Sequence, residues 1–185
     1  MLILEKRIGI GAVRECYEHP ADKTKCVKVL IPPADVSVFE KEFKNYFAVK
    51  GVLADYVIPC EKELIETNKG KGMVCDLLVD DDGSKSKMIY EYRDDDEVRG
   101  CLDVFVGCIL KNKLFFYDFN VYNFAVQIIN GEKKLKYIDL KSFRHNNTWC
   151  FLKLENIFDF LARIIMVRRL KRLYRELGFK QPPFL

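Results

Sequence analysis

Only two histidines, His19 and His145, occur in the 185 residues, and the seven cysteines (Cys16, Cys26, Cys60, Cys75, Cys101, Cys108 and Cys150) include no Cys-x-x-Cys pair. That scarcity leaves no ready zinc framework. With no Gly-x-Ser-x-Gly elbow and no Cys/His nucleophile pair, hydrolase chemistry of those kinds has no support either. No apolar run approaches the roughly 20 residues that cross a bilayer, so no transmembrane segment is expected. No stretch reads as a signal peptide, and an odd cysteine count then points to reduced thiols in a cytoplasm, most of them packed in a core. Internal repeats and low-complexity tracts are missing, which excludes repeat architectures.

What is present is ample for a packed core: 49% of residues are apolar and 13% aromatic. A chain of this length fits one compact domain or two small lobes sharing a cleft. The net charge of +4 is unevenly spread. Residues 76–97 carry nine acidic side chains against three basic, and residues 161–180 carry seven basic against one acidic. An acidic middle and a basic C-terminal helix either form solvated faces, pair with each other, or meet partners.

In chain order, residues 2–8 read as a strand, followed by Gly9-Ile10-Gly11, a second β-like run over 13–17, a His19-Pro20-Ala21-Asp22 turn and a third strand over 25–30. Glycines in such a hairpin let backbone amides approach phosphate oxygens, because no Cβ intervenes and positive φ is available. Lys28 interrupts an otherwise apolar strand, in the pattern of a lysine that reaches α- and β-phosphates beneath a glycine loop. A buried lysine wants a carboxylate. Residues 35–50 supply a helix with Phe39, Phe43, Tyr46 and Phe47 at helical spacing and Asp35 or Ser37 as cap. Glu42 on that helix is the favoured partner of Lys28, with Glu40 as the alternative.

Strands over 57–67 and 72–79 follow, joined by Asn68-Lys69-Gly70-Lys71-Gly72. Asp80-Asp81-Asp82-Gly83-Ser84 reads as a linker; it lacks the regular spacing and closing Glu of a calcium loop. Backbone near residues 76–78 is expected to face an adenine. Val98, Leu102, Phe105 and Ile109 mark the core face of a helix over 95–112. After a brief polar segment at 141–147, residues 151–177 read as a helix. Its apolar face is expected to carry Ile157, Leu161, Ile164, Ile165, Leu173 and Leu177, opposite Arg163, Arg168, Arg169, Lys171, Arg172 and Arg175.

Residues 114–140 hold the chemistry. Asp118 and Asn123 lie five positions apart, two short β-like runs flank an Asn130-Gly131 turn, and Asp139 closes an apolar run. In this order the first Asp orients an attacking hydroxyl, while the Asn and second Asp hold divalent metal. Magnesium keeps several waters, so one amide and one carboxylate suffice. Five roles in the right linear order, on elements of the right kind, point to phosphoryl transfer.

The glycine loop running into CYEHPADKTKCVKVL, the KEFKNY helix, the IPCEKELIETNKGKGMVCDLLVDDDGSKSK block and the Asp-x4-Asn loop together resemble the bacterial YrbL family, PhoP-network proteins with a protein-kinase-like fold. The match covers most of the chain and is most specific from Glu66-Thr67-Asn68 to Ser84. The resemblance implies an α+β, minimal bilobal protein-kinase-like fold with an ATP cleft. Its N-lobe is an antiparallel five-stranded sheet with one helix (residues 1–79), and its C-lobe is mainly helical and truncated (residues 80–185). Carried over residue by residue, Lys28, Glu42 and Asp118 take the lysine, helix-glutamate and catalytic-loop positions. Gly9, Gly11 and Lys28 take the nucleotide-binding positions, and Asn123 and Asp139 the metal positions.

The departures matter equally. Phe116-Tyr117-Asp118 stands where His-Arg-Asp is usual, Arg14 occupies the third glycine-loop position, and Leu140-Lys141 follows Asp139 in place of Phe-Gly. No Ala-Pro-Glu follows, and fewer than 50 residues come after Asp139. A full peptide-docking subdomain is therefore not expected, and without an arginine before Asp118 neither is control by activation-loop phosphorylation. The expected activity is a cytoplasmic, kinase-like phosphotransferase that uses ATP and Mg and acts on a hydroxyl of a small molecule, sugar or protein. The alternative is a pseudokinase or regulatory module. The basic C-terminal helix adds an expected membrane-surface or other anionic partner.

Overall fold

The computed structural model describes residues 1–140, 143–144 and 155–185. Its elements in chain order are β1 (Arg7–Ile10), β2 (Arg14–Glu18), β3 (Lys25–Leu30), α1 (Ser37–Leu53), β4 (Cys60–Thr67), β5 (Gly70–Asp76), β6 (Lys87–Met88), a 3-10 turn at Ile89–Glu91, α2 (Asp96–Lys111), β7 (Phe115–Phe116), β8 (Phe124–Ile129), β9 (Glu132–Tyr137), β10 (Phe143–Arg144) and α3 (Glu155–Glu176). The first five strands form one antiparallel sheet in the order β1-β2-β3-β5-β4. β6, β8 and β9 form a three-stranded sheet, and β10 pairs with β7.

Residues 2–6 do not form the expected strand. Asn68 takes over both backbone groups of Leu4, accepting from its N–H at 2.8 Å and donating to its carbonyl at 3.3 Å, so a side chain replaces the ladder. The β4–β5 turn is tight, with Gly70 at φ 105°. At Gly72 a Cβ would sit 2.6 Å from Val27 Cγ1 on the adjacent strand, so only glycine allows that approach.

Asp35 accepts from the Ser37 amide at 2.8 Å, yet the residue in the cap position of α1 is Val36, so neither expected cap fills it. The helix buries Phe39, Glu42, Asn45, Val49 and Leu53, while Phe47 is exposed. Its first half packs with Met73 and Cys75 under the five-stranded sheet, and its last turns join the larger core with α2 and α3. Asp95 caps α2 through the Glu97 and Val98 amides. Val98, Leu102, Phe105 and Ile109 are all fully buried, as the spacing predicts.

Among the described side chains of α3 the buried ones are Met166, Leu170, Leu173 and Tyr174, continuing into Leu177. Leu161 and Ile165 are exposed. The buried face is therefore rotated from the expected one: Met166 and Tyr174 carry the 3.6-residue stripe that the aliphatic residues alone misplace. Residues 151–154, the side chain of Ile157 and most of the polar segment at 141–147 lie outside the described residues.

Cys60 and Cys75 face each other across β4 and β5 and are joined as a disulfide. For this pair alone the expectation of reduced thiols is corrected, because strand pairing brings together two cysteines that no short motif connects. Cys16, Cys26, Cys101 and Cys108 are free; Cys150 lies outside the described residues. Among the described residues no helix is long and apolar enough to cross a membrane.

Candidate functional site

Strand register aims Lys28 at the helix. Lys28 on β3 lies opposite Cys16 on β2 and Met73 on β5, and its ammonium donates to Glu42 Oε1 at 2.9 Å. Glu42 is 3% exposed, whereas Glu40, two residues before it, lies on the outer side of α1, so about half a turn of helix decides between them. Burial, then the nearby charge of Arg14, pulls the Lys28 pKa down to about 8.

The β1–β2 hairpin crosses above. Gly9 pairs with Cys16 inside the sheet, and the Gly11 amide donates to the Arg14 carbonyl at 2.8 Å to close the turn. Neither glycine has positive φ, so the conformational freedom anticipated for them is unused. A Cβ at either would meet only ordinary contacts. What they contribute is a thin ceiling.

The catalytic-loop candidates rest on aromatic rings. Phe116 and Phe119 are buried on either side of Asp118, against Phe124, Tyr137 and Phe143 at centroid distances of 5.1 to 6.5 Å. Those anchors hold the intervening backbone. The Asp118 carbonyl accepts from Asn123 Nδ2 at 3.0 Å and from the Tyr137 hydroxyl at 3.2 Å, and its carboxylate accepts from Asn120 Nδ2 at 2.7 Å. Asn123 is then tied to the second Asp, because its carbonyl accepts from the Ile138 amide at 3.0 Å. The β8–β9 hairpin supplies this return, with Asn130 and Gly131 both at positive φ as a two-residue turn requires. Asn45 of α1 closes the circuit by donating to the Leu140 carbonyl at 2.6 Å.

Gly9, Gly11, Lys28, Asp118, Asn123 and Asp139 all line one cavity of about 470 Å³, together with Asp76, Leu77 and Leu78. Glu42 lies behind Lys28, outside the lining. The structure thus brings Gly9, Gly11, Lys28, Asp118, Asn123 and Asp139 to one cavity with Glu42 behind it, and leaves Glu40 outside. It also adds one. Arg14, 12% exposed in its side chain, places Nη1 against Glu42 Oε2 and Nη2 3.3 Å from Asp139 Oδ1. Its only sequence signal is a charge where the pattern has glycine.

The linker carboxylates serve the fold. Asp80 accepts from the Ile128 amide and the Ser86 hydroxyl, and Asp81 accepts from the Asn130 and Gly131 amides. They cap the hairpin that carries Asn123 toward Asp139.

The profile for the PhoP regulatory network protein YrbL matches residues 1–178. The chain belongs to the YrbL family. The uncharacterised YrbL proteins of Escherichia coli (strain K12) and Shigella flexneri are each 34% identical to it over 88 residues, 46% of this chain. The aligned stretch spans 42% of the length of those relatives. Among solved structures, a variant of the Mycobacterium tuberculosis PknI kinase domain is similar at a TM-score of 0.55 and 13% identity, over 95% of this chain and 74% of that one. The chain therefore has a protein-kinase-like architecture, with the five-stranded antiparallel sheet and three helices described above.

The donor chemistry of the cleft would suit one hard cation. Asn123 spends its Nδ2 on Asp118, which leaves its amide oxygen, and Asp139 offers a carboxylate; magnesium accepts such a pair with waters and phosphate oxygens. A cation at Asp139 would compete with Arg14, whose Nη2 lies 3.3 Å from that carboxylate.

Proposed function

We propose that this protein binds ATP with Mg in the cleft and transfers the γ-phosphate to a hydroxyl of a small molecule, sugar or protein. The observation that carries the reading is the convergence of the Lys28–Glu42 pair, Asp118, Asn123 and Asp139 on one cavity in a kinase-like architecture. Lys28 would hold α- and β-phosphates, with Glu42 fixing its direction. Gly9 and Gly11 would let the hairpin close over the phosphates. Asp118, positioned by Asn120 and by its buried aromatic flanks, would accept or orient the proton of the acceptor hydroxyl. Asn123 and Asp139 would hold the magnesium, which when bound neutralises phosphate charge. The two lobes in this reading are residues 1–79 and 80–185, and the compartment that supplies ATP and magnesium is the cytoplasm.

The alternative reading, a pseudokinase or regulatory nucleotide-binding module acting through protein partners, draws support from Arg14, whose cationic group lies on Asp139. Exposed Arg163, Arg168, Arg169, Arg172 and Arg175 on α3 offer such a module, or the enzyme, an anionic or membrane-surface contact.

Transfer from γ-labelled ATP into cell extract, measured for the wild type and Asp118→Ala, separates the two. The enzyme reading expects labelled product with the wild type and a loss of at least about 100-fold with the variant, at unchanged nucleotide affinity. Nucleotide binding with no label in any acceptor, the protein included, selects the regulatory module.

A further inference from the structure

Arg14 begins β2, and its carbonyl closes the glycine turn. Cross-strand register sets it opposite Leu30, two residues along from the Cys16 and Lys28 pair, so its side chain falls on the cleft face of the sheet beside Lys28. The guanidinium then bridges two carboxylates from different parts of the chain: Glu42 on α1 and Asp139 after β9. Glu42 consequently serves two cations, Lys28 on one oxygen and Arg14 on the other. Two buried positive charges thus balance two buried negative ones.

Burying a guanidinium is costly, and a buried ion network is weak evidence for stability as such. A hairpin at this position needs no charge at all. The guanidinium is, however, the side chain best matched to bidentate recognition of phosphate. It sits on the wall of the cavity that holds Lys28, Asn123 and Asp139.

We propose that Arg14 is a phosphate-binding residue of this cleft, held on Asp139 in the free protein and transferred to the polyphosphate when a nucleotide and its divalent cation bind. The inference rests on the nucleotide-binding reading and deepens it. A cation that takes the Asp139 carboxylate releases Nη2, while Nη1 stays on Glu42 and keeps the side chain pointed into the cavity. The anion that enters with the cation is the partner then within reach. No bond is made or broken; the guanidinium exchanges one oxyanion for another. Two consequences follow from the exchange. A divalent cation alone binds weakly, because it must displace an arginine with no anion to receive it. Cation and polyphosphate therefore bind with positive coupling.

The test is equilibrium binding to the full chain and to the variants Arg14→Gln and Arg14→Lys, with Mg·ATP, adenosine and Mn²⁺ alone as probes. Arg14→Gln should weaken Mg·ATP by about tenfold or more, as expected for a lost charge-assisted contact. It should leave adenosine unchanged and tighten Mn²⁺ alone, since the cation no longer has to displace the guanidinium from Asp139. Arg14→Lys should fall between, because an ammonium cannot span both carboxylates. Unchanged or tighter Mg·ATP binding in Arg14→Gln overturns the proposal, the tighter result making Arg14 a plug. Equal losses for adenosine and Mg·ATP also overturn it, since the residue would then shape the cleft and not read phosphate. Failure of the wild type to bind Mg·ATP at all removes the nucleotide reading, and this inference with it.

Discussion

Glu42 holds Lys28 and Arg14 at once, buried at 3% exposure. Its removal leaves two desolvated cations facing each other across the space it filled. Glu42→Ala should therefore destabilise the fold by about 3 to 5 kcal/mol, the range for breaking a buried pair; urea unfolding measures it, and a cost near zero would mean that the cations reach water. Lys28 itself sets a pH dependence. Its folded pKa, about 8, lies below the ordinary 10.5. Below about pH 8 the ammonium is charged in both states and the folded chain bears the whole desolvation cost. Between about 8 and 10.5 the folded chain loses the proton first, so stability rises with pH through that window. The unfolding free energy of wild type relative to Lys28→Met should shift in favour of the wild type by on the order of 3 kcal/mol across it. A flat difference would place the lysine in a wet site. The need for a carboxylate on α1 is legible in the sequence because Lys28 interrupts an apolar strand, but Glu40 and Glu42 both flank the aromatic stripe, and the burial of Glu42 in the folded helix decides between them. The reach of Arg14 is not legible, since its partners stand 28 and 125 positions away.

Among the elements, α1 joins the parts of the site. Phe39 packs under the five-stranded sheet, Glu42 meets β3 and the hairpin arginine, Asn45 binds the backbone after Asp139, and Val49 and Leu53 enter the core of α2 and α3. Successive turns of one helix thus touch both halves of the cleft. Asn45→Ala leaves the Leu140 carbonyl without its donor. It should cost about 1 to 3 kcal/mol in unfolding, and by loosening Asp139 should weaken Mg²⁺-dependent nucleotide binding while adenosine binding is kept. Calorimetry with both ligands reads this; a parallel loss of both would make Asn45 a general packing residue. Helices are legible where one apolar stripe dominates. α2 has four such residues at i, i+4, i+7 and i+11 and no rival face. α3 has aliphatic residues on two faces, and its register is decided by Met166 and Tyr174, whose hydroxyl donates to Asp103 at 2.5 Å. Strand ends are less legible. Residues 2–6 open with an apolar run that reads as a strand, but only Leu2 makes an isolated bridge, to Thr67, and at Leu4 the Asn68 side chain supplies both backbone hydrogen bonds.

At the scale of the whole molecule, the cleft forms where the β1–β2 hairpin and β3 face the aromatic-bedded loop at Asp118 and the return to Asp139. The linear order of Lys28, Glu42, Asp118, Asn123 and Asp139 is readable because Lys28 and Glu42 sit in a strand and a helix whose types show in their periodicity, and the other three sit in the loops that flank the short β-like runs around Asn130-Gly131. The pairing of Cys60 with Cys75 and the bridge of Arg14 are not, because both depend on strand register across the finished sheet. The central claim is that residues from both ends of this order hold one Mg-bound nucleotide. Thermal melting with and without Mg·ATP, for wild type and Asp139→Ala, tests it most directly. The wild type should gain about 5 to 10 °C at a hundredfold excess over Kd, the gain should require Mg²⁺, and Asp139→Ala should lose most of it. No shift in the wild type at millimolar Mg·ATP, or an equal shift in Asp139→Ala, would contradict the account.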